Sequence, residues 1–279
     1  MHHPIAQFVA LTCHANASLC GHELPPFLIT NSTAQFCESI RFVSTRRRLW
    51  GGLSNEPVAA DPNAWFEYLK KKGALGVQLR CARHDDSKLP GWLVAAFAGG
   101  GGTWSMDVAL PSGAAERWAG NWKVGNRDAP DRRIWTVEYC GNTTRRSGTS
   151  HSRDLSLVAR ELEVSLREVL LFSMNQSLSG FSESFQSALD TIKSQGEHGH
   201  GYHQDLAPPG VLSTTATALL DACQKAWVFG GMGSWNDLMF EGNYQQTYET
   251  LSERLFNAVN AAIASSASSS FAAHSSEDR

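Results

Sequence analysis

Three imidazoles fall within six positions of this chain, His198, His200 and His203, in a loop that reads GEHGHGYHQD. Neutral imidazole is the commonest metal ligand near neutral pH, and the interleaved Gly196, Gly199 and Gly201 would let several rings turn toward one ion. Glu197 and Asp205 are near enough in sequence to complete a shell around a divalent transition metal such as zinc. The spacing H-x-H-x-x-H matches no common zinc scaffold, however. A solvated connection without a cofactor is therefore the expectation, and the metal site is its alternative.

A second segment with chemical potential is FGGMGSWND, Phe229 to Asp237, followed by Glu241. Its glycines could cradle an anion with backbone N–H groups, or Asp237 and Glu241 could serve as catalytic carboxylates. No Lys follows the glycines in the manner of a phosphate loop, so a tight connection between helices is expected, with Trp235 plugging a helical core. The run Gly99 to Gly102 is no dinucleotide loop, because TWSMDVAL after it reads as a strand where a helix would have to start. Neither G-x-S-x-G nor H-E-x-x-H occurs.

Basic clusters stand at Arg46, Arg47 and Arg48 and at Lys70 to Lys72, among seven of the nine tryptophans. Nucleic-acid binding would use such a patch with stacking rings. Residues 1–140 carry 15 Lys and Arg against 12 Asp and Glu, a net charge of only +3, which argues against that partner. Residues 141–279 carry 9 against 15, net −6, so the two parts differ in character. No run of about 18 apolar residues is present, which excludes a membrane-spanning helix. The six cysteines lack paired spacing and no export signal precedes them; reduced thiols in a cytoplasm are expected.

The elements that must position these groups follow from periodicity. Pro4 opens a helix ended by Gly21, and Asp61 with Pro62 opens another that Gly73 stops. Alternation predicts strands near Phe36–Val43, Gly76–Arg83, Trp92–Phe97, Thr103–Leu110, Arg117–Val124 and Arg133–Tyr139, short-linked as an antiparallel meander. Helical stripes follow: Leu155 to Leu170, Phe181 to Ile192, Leu212 to Trp227 and Tyr248 to Ile263. The expected fold class is α+β, an N-terminal antiparallel sheet with covering helices (1–140), a polar linker (141–153), a C-terminal four-helix bundle (154–265) and a Ser/Ala-rich disordered tail (266–279).

The segments WVFGGMGSWNDL, FCESIRFVS, WFEYLKKKGALGVQL, AFAGGGGTWSM and VGNRDAPDRRIW resemble uncharacterised bacterial proteins. That resemblance implies a bacterial, cytoplasmic setting and carries no activity with it. With no cofactor loop and no catalytic signature, the leading expectation is a non-enzymatic binding or regulatory protein, immunity- or adaptor-like, whose partner is another protein. Trp235 and Arg46 to Arg48 are its candidate contact residues. The alternative is a metal-dependent enzyme using His198, His200 and His203 with Asp237 or Glu241.

Overall fold

The computed structural model describes residues 1–27, 29–47, 53–82, 89–95, 101–144, 153–195 and 201–272. Through these residues the chain runs α1 (His3–Leu19), β1 (Cys37–Arg47), β2 (Leu53–Ala59), α2 (Pro62–Lys71), β3 (Gly76–Ala82), β4 (Thr103–Ala109), β5 (Ala115–Val124), β6 (Trp135–Thr144), α3 (Leu155–Asn175), α4 (Ser179–Lys193), α5 (Thr214–Ala226) and α6 (Asn243–Ala272). The fold is α+β, with one six-stranded sheet in the order β2-β1-β6-β5-β4-β3.

The sheet is mixed, which corrects the expected antiparallel meander. β3 to β6 do form one, but β1 runs parallel to β6, with Phe42 opposite Tyr139. A parallel pair needs a long crossover, and the whole stretch from β2 to β5 supplies it. Residues 91–95 are turns where a strand was predicted, while β2 was not predicted at all.

The helix α2 shows how local signals act. Asp61 Oδ1 accepts the Ala64 N–H at 2.9 Å, Pro62 stands in the first turn, and Trp65, Phe66 and Leu69 are buried. Beyond it Gly73 adopts φ +64° while its N–H bonds Lys70 O and the Ala74 N–H bonds Leu69 O, a Schellman ending. Trp65 then stacks on Phe42 of β1 at 4.6 Å between ring centroids, with Trp118 and Tyr139 packed around them. Gly141 of β6 leaves the room for Trp118, since a Cβ there would stand 2.8 Å from the indole.

Helix α1 is buried on every side from Ile5 to Ala10, including Gln7, which accepts the Tyr139 hydroxyl and donates to Thr33 O. Helix α3 packs against α4 and α6, and α5 against α4 and α6. Helix α6 also packs on α1 and on β3, so one buried core runs from Phe42 and Trp65 to Phe185 and Trp235. The polar linker expected over 141–153 is corrected at its start, where residues 141–144 complete β6.

The expected tail is also corrected. Through Ala272 the Ser/Ala-rich segment is the last part of α6, and Ser266, Ala267, Ser268 and Ser270 are buried. β3 is an edge strand, and its outward peptide groups take side chains in place of a further strand. Leu79 N–H donates to Ser268 Oγ at 2.9 Å, Val77 N–H to Asn16 Oδ1 at 2.7 Å, and Asn16 Nδ2 to Val77 O and Ser270 Oγ. Small residues let α6 come this close: at Gly76 a Cβ would lie inside the Phe271 ring. Low hydrophobicity here reflects tight approach, not disorder. Residues 273–279 lie outside the described residues.

Candidate functional site

Of the three loop histidines, His198 and His200 lie outside the described residues, as does Glu197, and His203 is 4% exposed. Its segment is pinned to α5: Gly201 N–H donates to Asp221 Oδ1, and His203 N–H to Gln224 Oε1 at 2.8 Å. His203 Nδ1 meets Ser32 Oγ at 2.7 Å, the Ser32 hydroxyl donates to Asp205 Oδ1, and the Ser32 N–H donates to Asp205 Oδ2 at 2.7 Å. The one hydroxyl proton of Ser32 faces the carboxylate, so His203 Nδ1–H must be the donor to Ser32 Oγ.

Serine, histidine and aspartate thus meet, but not in the order of a nucleophilic triad. There the imidazole takes the hydroxyl proton and the carboxylate orients the imidazole. Here Ser32 bridges the other two. Burial pushes the His203 pKa down to about 4, helped by the nearby His3 and opposed by Asp205, so the ring is neutral at pH 7. The arrangement clasps the segment after residue 200 onto the turn at residues 31–33. Among the described residues no group of three His, Cys, Asp or Glu side chains is placed to hold a metal ion.

Trp235 is fully buried, edge-on to Phe181 and Phe185 at 5.1 and 5.2 Å. Its indole N–H donates to Ser252 Oγ of α6 at 2.8 Å, and the Tyr248 hydroxyl donates to its carbonyl. Asp237 is exposed and accepts the Gly233 N–H at 2.6 Å, closing the turn in which Gly233 takes φ +82°. Glu241 is exposed as well. Arg46 and Arg47 lie in the last positions of β1, opposite Ser54 and Leu53, and Arg48 is outside the described residues. The structure does not bring Asp237 and His203 into contact.

The most distinctive surface was not singled out from the sequence. On α3 the buried positions Val158, Leu162, Leu166, Val169 and Phe172 face the core. Leu157, Val164 and Leu171 repeat at intervals of seven on the other side and are 53%, 57% and 62% exposed, with Met174 also exposed at the end. Seven residues are nearly two helical turns, so the three form one stripe. At i+3 from the first two stand Arg160 and Arg167; at i+4 stand Glu161 and Glu168. These offsets fall on opposite sides of the stripe, giving it one basic and one acidic rim. Arg167 pairs with Glu163 at 3.3 Å, Glu168 with Arg254 at 3.3 Å and Glu161 with Arg153 at 2.6 Å, which holds three rim side chains along the surface. The signal was present in the sequence as a second heptad beside the core stripe.

All six cysteines are free, and burial raises the Cys13, Cys81 and Cys223 thiols to about 12, which makes them inert at neutral pH. No helix among the described residues is long and apolar enough to cross a membrane. No protein-family model, no curated protein and no solved structure matches this chain.

Proposed function

We propose that this is a non-enzymatic binding or regulatory protein of the bacterial cytoplasm, immunity- or adaptor-like, which acts through protein–protein contacts. In this proposal α3 to α6 form a four-helix bundle whose outward helix, α3, is the docking face. The observation that carries it is the heptad-spaced stripe Leu157, Val164 and Leu171, exposed on the face of α3 opposite its buried one. Exposed apolar side chains flanked by charge mark interaction sites, and a seven-residue interval brings successive side chains back to nearly the same side of a helix, where a second helix can lie along them.

The partner is accordingly an amphipathic helix. Its flanks meet Arg160 and Arg167 on one side of the stripe and Glu161 and Glu168 on the other, in exchange for the exposed pairs that Arg167, Glu161 and Glu168 make with Glu163, Arg153 and Arg254. The six free thiols support a reducing compartment.

A photo-reactive amino acid placed at position 164, and as a control at the exposed Gln186 of α4, tests this in cells. Discrete adducts from position 164 that vanish with Leu171→Glu, and none from position 186, are expected. Adducts that ignore Leu171→Glu, or no adduct at position 164, would overturn the proposal.

A further inference from the structure

A cleft of about 650 Å³ opens between the outer edge of β3 and one face of α6, and none of Leu157, Val164 and Leu171 lines it. Arg80 and Arg117 line it from the sheet and Arg153, which pairs with Glu161 at 2.6 Å, from the approach to α3; among the described lining residues Glu253 is the one carboxylate. Behind them Asp107 orients two of the guanidinium groups. Its Oδ2 lies 2.8 Å from Arg80 Nε, and its two oxygens take Arg117 Nε and Nη2, both at 2.8 Å. A guanidinium has five N–H donors, so Arg117 keeps three beyond this pair.

Opposite, α6 contributes Asn257, Asn260, Ser265 and Ser268. Asn260 is only 6% exposed, and its Oδ1 has no hydrogen-bond partner among the described residues. A buried amide oxygen without a donor costs stability, and a cleft wall is where a ligand can supply one. Cys81 also lines the space, but its thiol is too strongly protonated to act as a nucleophile. The volume lies within the range of small-molecule sites.

We propose that this cleft binds a small organic anion that also carries a hydroxyl or amino donor. The anionic group sits against Arg117 and Arg80, and the donor meets Asn260 Oδ1. The class is that of hydroxy acids, amino acids and sugar phosphates.

Calorimetric titration with four probes tests it: inorganic phosphate, glycerol, glycerol 3-phosphate and malate. At least one of the two bifunctional probes should bind tenfold or more tightly than phosphate, and glycerol should not bind; which of the two wins separates a phosphate site from a carboxylate site. Arg117→Lys, which keeps a cation for Asp107 but loses the planar fork, should weaken the better probe at least fivefold. Asn260→Leu should bring that probe down to the anion-only level while leaving the unliganded melting temperature unchanged or raised, since it removes an unpartnered polar atom. Saturable binding of no probe to the folded protein would overturn the proposal. So would binding untouched by both substitutions, or an Asn260→Leu protein that loses stability and keeps its affinity.

Discussion

Helices α3 and α6 pack against each other and break the usual rule of polarity in opposite ways. Helix α3 turns leucine and valine outward at Leu157, Val164 and Leu171, whereas α6 turns serine and asparagine inward at Asn260, Ser266, Ser268 and Ser270. Two of the inward serines have a cause inside the chain: Ser268 bonds the peptide edge of β3 and Ser270 takes the Asn16 amide of α1. No contact among the described residues covers the outward leucines. The pair teaches that an inverted position is informative only after its local duties are counted: Ser268 and Ser270 are inverted for architecture, while Asn260 of α6 and the α3 stripe have no such duty inside the fold.

The strongest way to break this contrast is to end the chain at Ser265. If the last turns of α6 are architecture, the loss should exceed the ~4–5 kcal/mol that marks exceptional single substitutions, and urea denaturation should show it. A truncated protein as stable as the parent would make those serines ornamental. Next comes Trp235→Ala, where α3 and α6 meet through Phe172, Tyr248 and Ser252. The expected cost is roughly 3–5 kcal/mol, as for large aromatic truncations in cores. Asp237→Asn in the same turn should cost much less, since its carboxylate serves one exposed N–H. Asn16→Ala should cost about 1–3 kcal/mol, because it strips both Val77 peptide groups of their partner.

A pH titration sharpens the same point at a different polar centre. The folded His203 pKa, about 4, lies below the unfolded value near 6.5, so the unfolded chain binds more protons between these limits. Stability should be full above about pH 6.5 and fall as the pH drops toward 4. His203→Asn, which cannot titrate, should reduce that slope in denaturation midpoints measured from pH 4 to 7, leaving the part that His2, His3 and His14 contribute, whose pKa values burial also lowers. The smallest effect on folding belongs to α3: Leu171→Glu should change stability by no more than ~0.5 kcal/mol, as surface substitutions do. A large loss there would mean that the stripe has a structural task after all.

How much of this was legible in the sequence depended on the range of the signal. The helix after Asp61-Pro62, the strands β3 to β6 and the stripes of α3, α4 and α5 were legible because their periodicity and caps are local. β2 was not, since Asn55, Glu56 and Pro57 are poor strand formers that suit an edge position, where one face of the backbone is unpaired. Trp92 read as strand because it is aromatic, yet it lies in a turn whose carbonyl accepts the Asn236 amide. The pairing of β1 with β6 joins segments nearly a hundred residues apart, which no local pattern encodes. The same holds at the polar centres. His203 stood out as a chemical group, but its partner Ser32 is 171 residues away. Arg80, Asp107 and Arg117 become one cluster only through the register of three strands. Asn260 sat in a stripe read for its apolar members alone.

The sealing of β3 has a consequence for the behaviour of the chain in concentrated solution. A sheet edge with open peptide groups recruits further strands, and natural folds blunt such edges to avoid fibrils. At the β2 end of this sheet, Glu56 and Pro57 do that blunting. At the β3 end it rests on Asn16 and Ser268, the second of them within two turns of the end of α6. Fraying of those turns would uncover the outward peptide groups of Leu79 and remove Ser270 from the Asn16 amide that covers Val77. The terminal turns of α6 are therefore the gatekeeper against self-templated growth, although Phe271 is their one large hydrophobic residue.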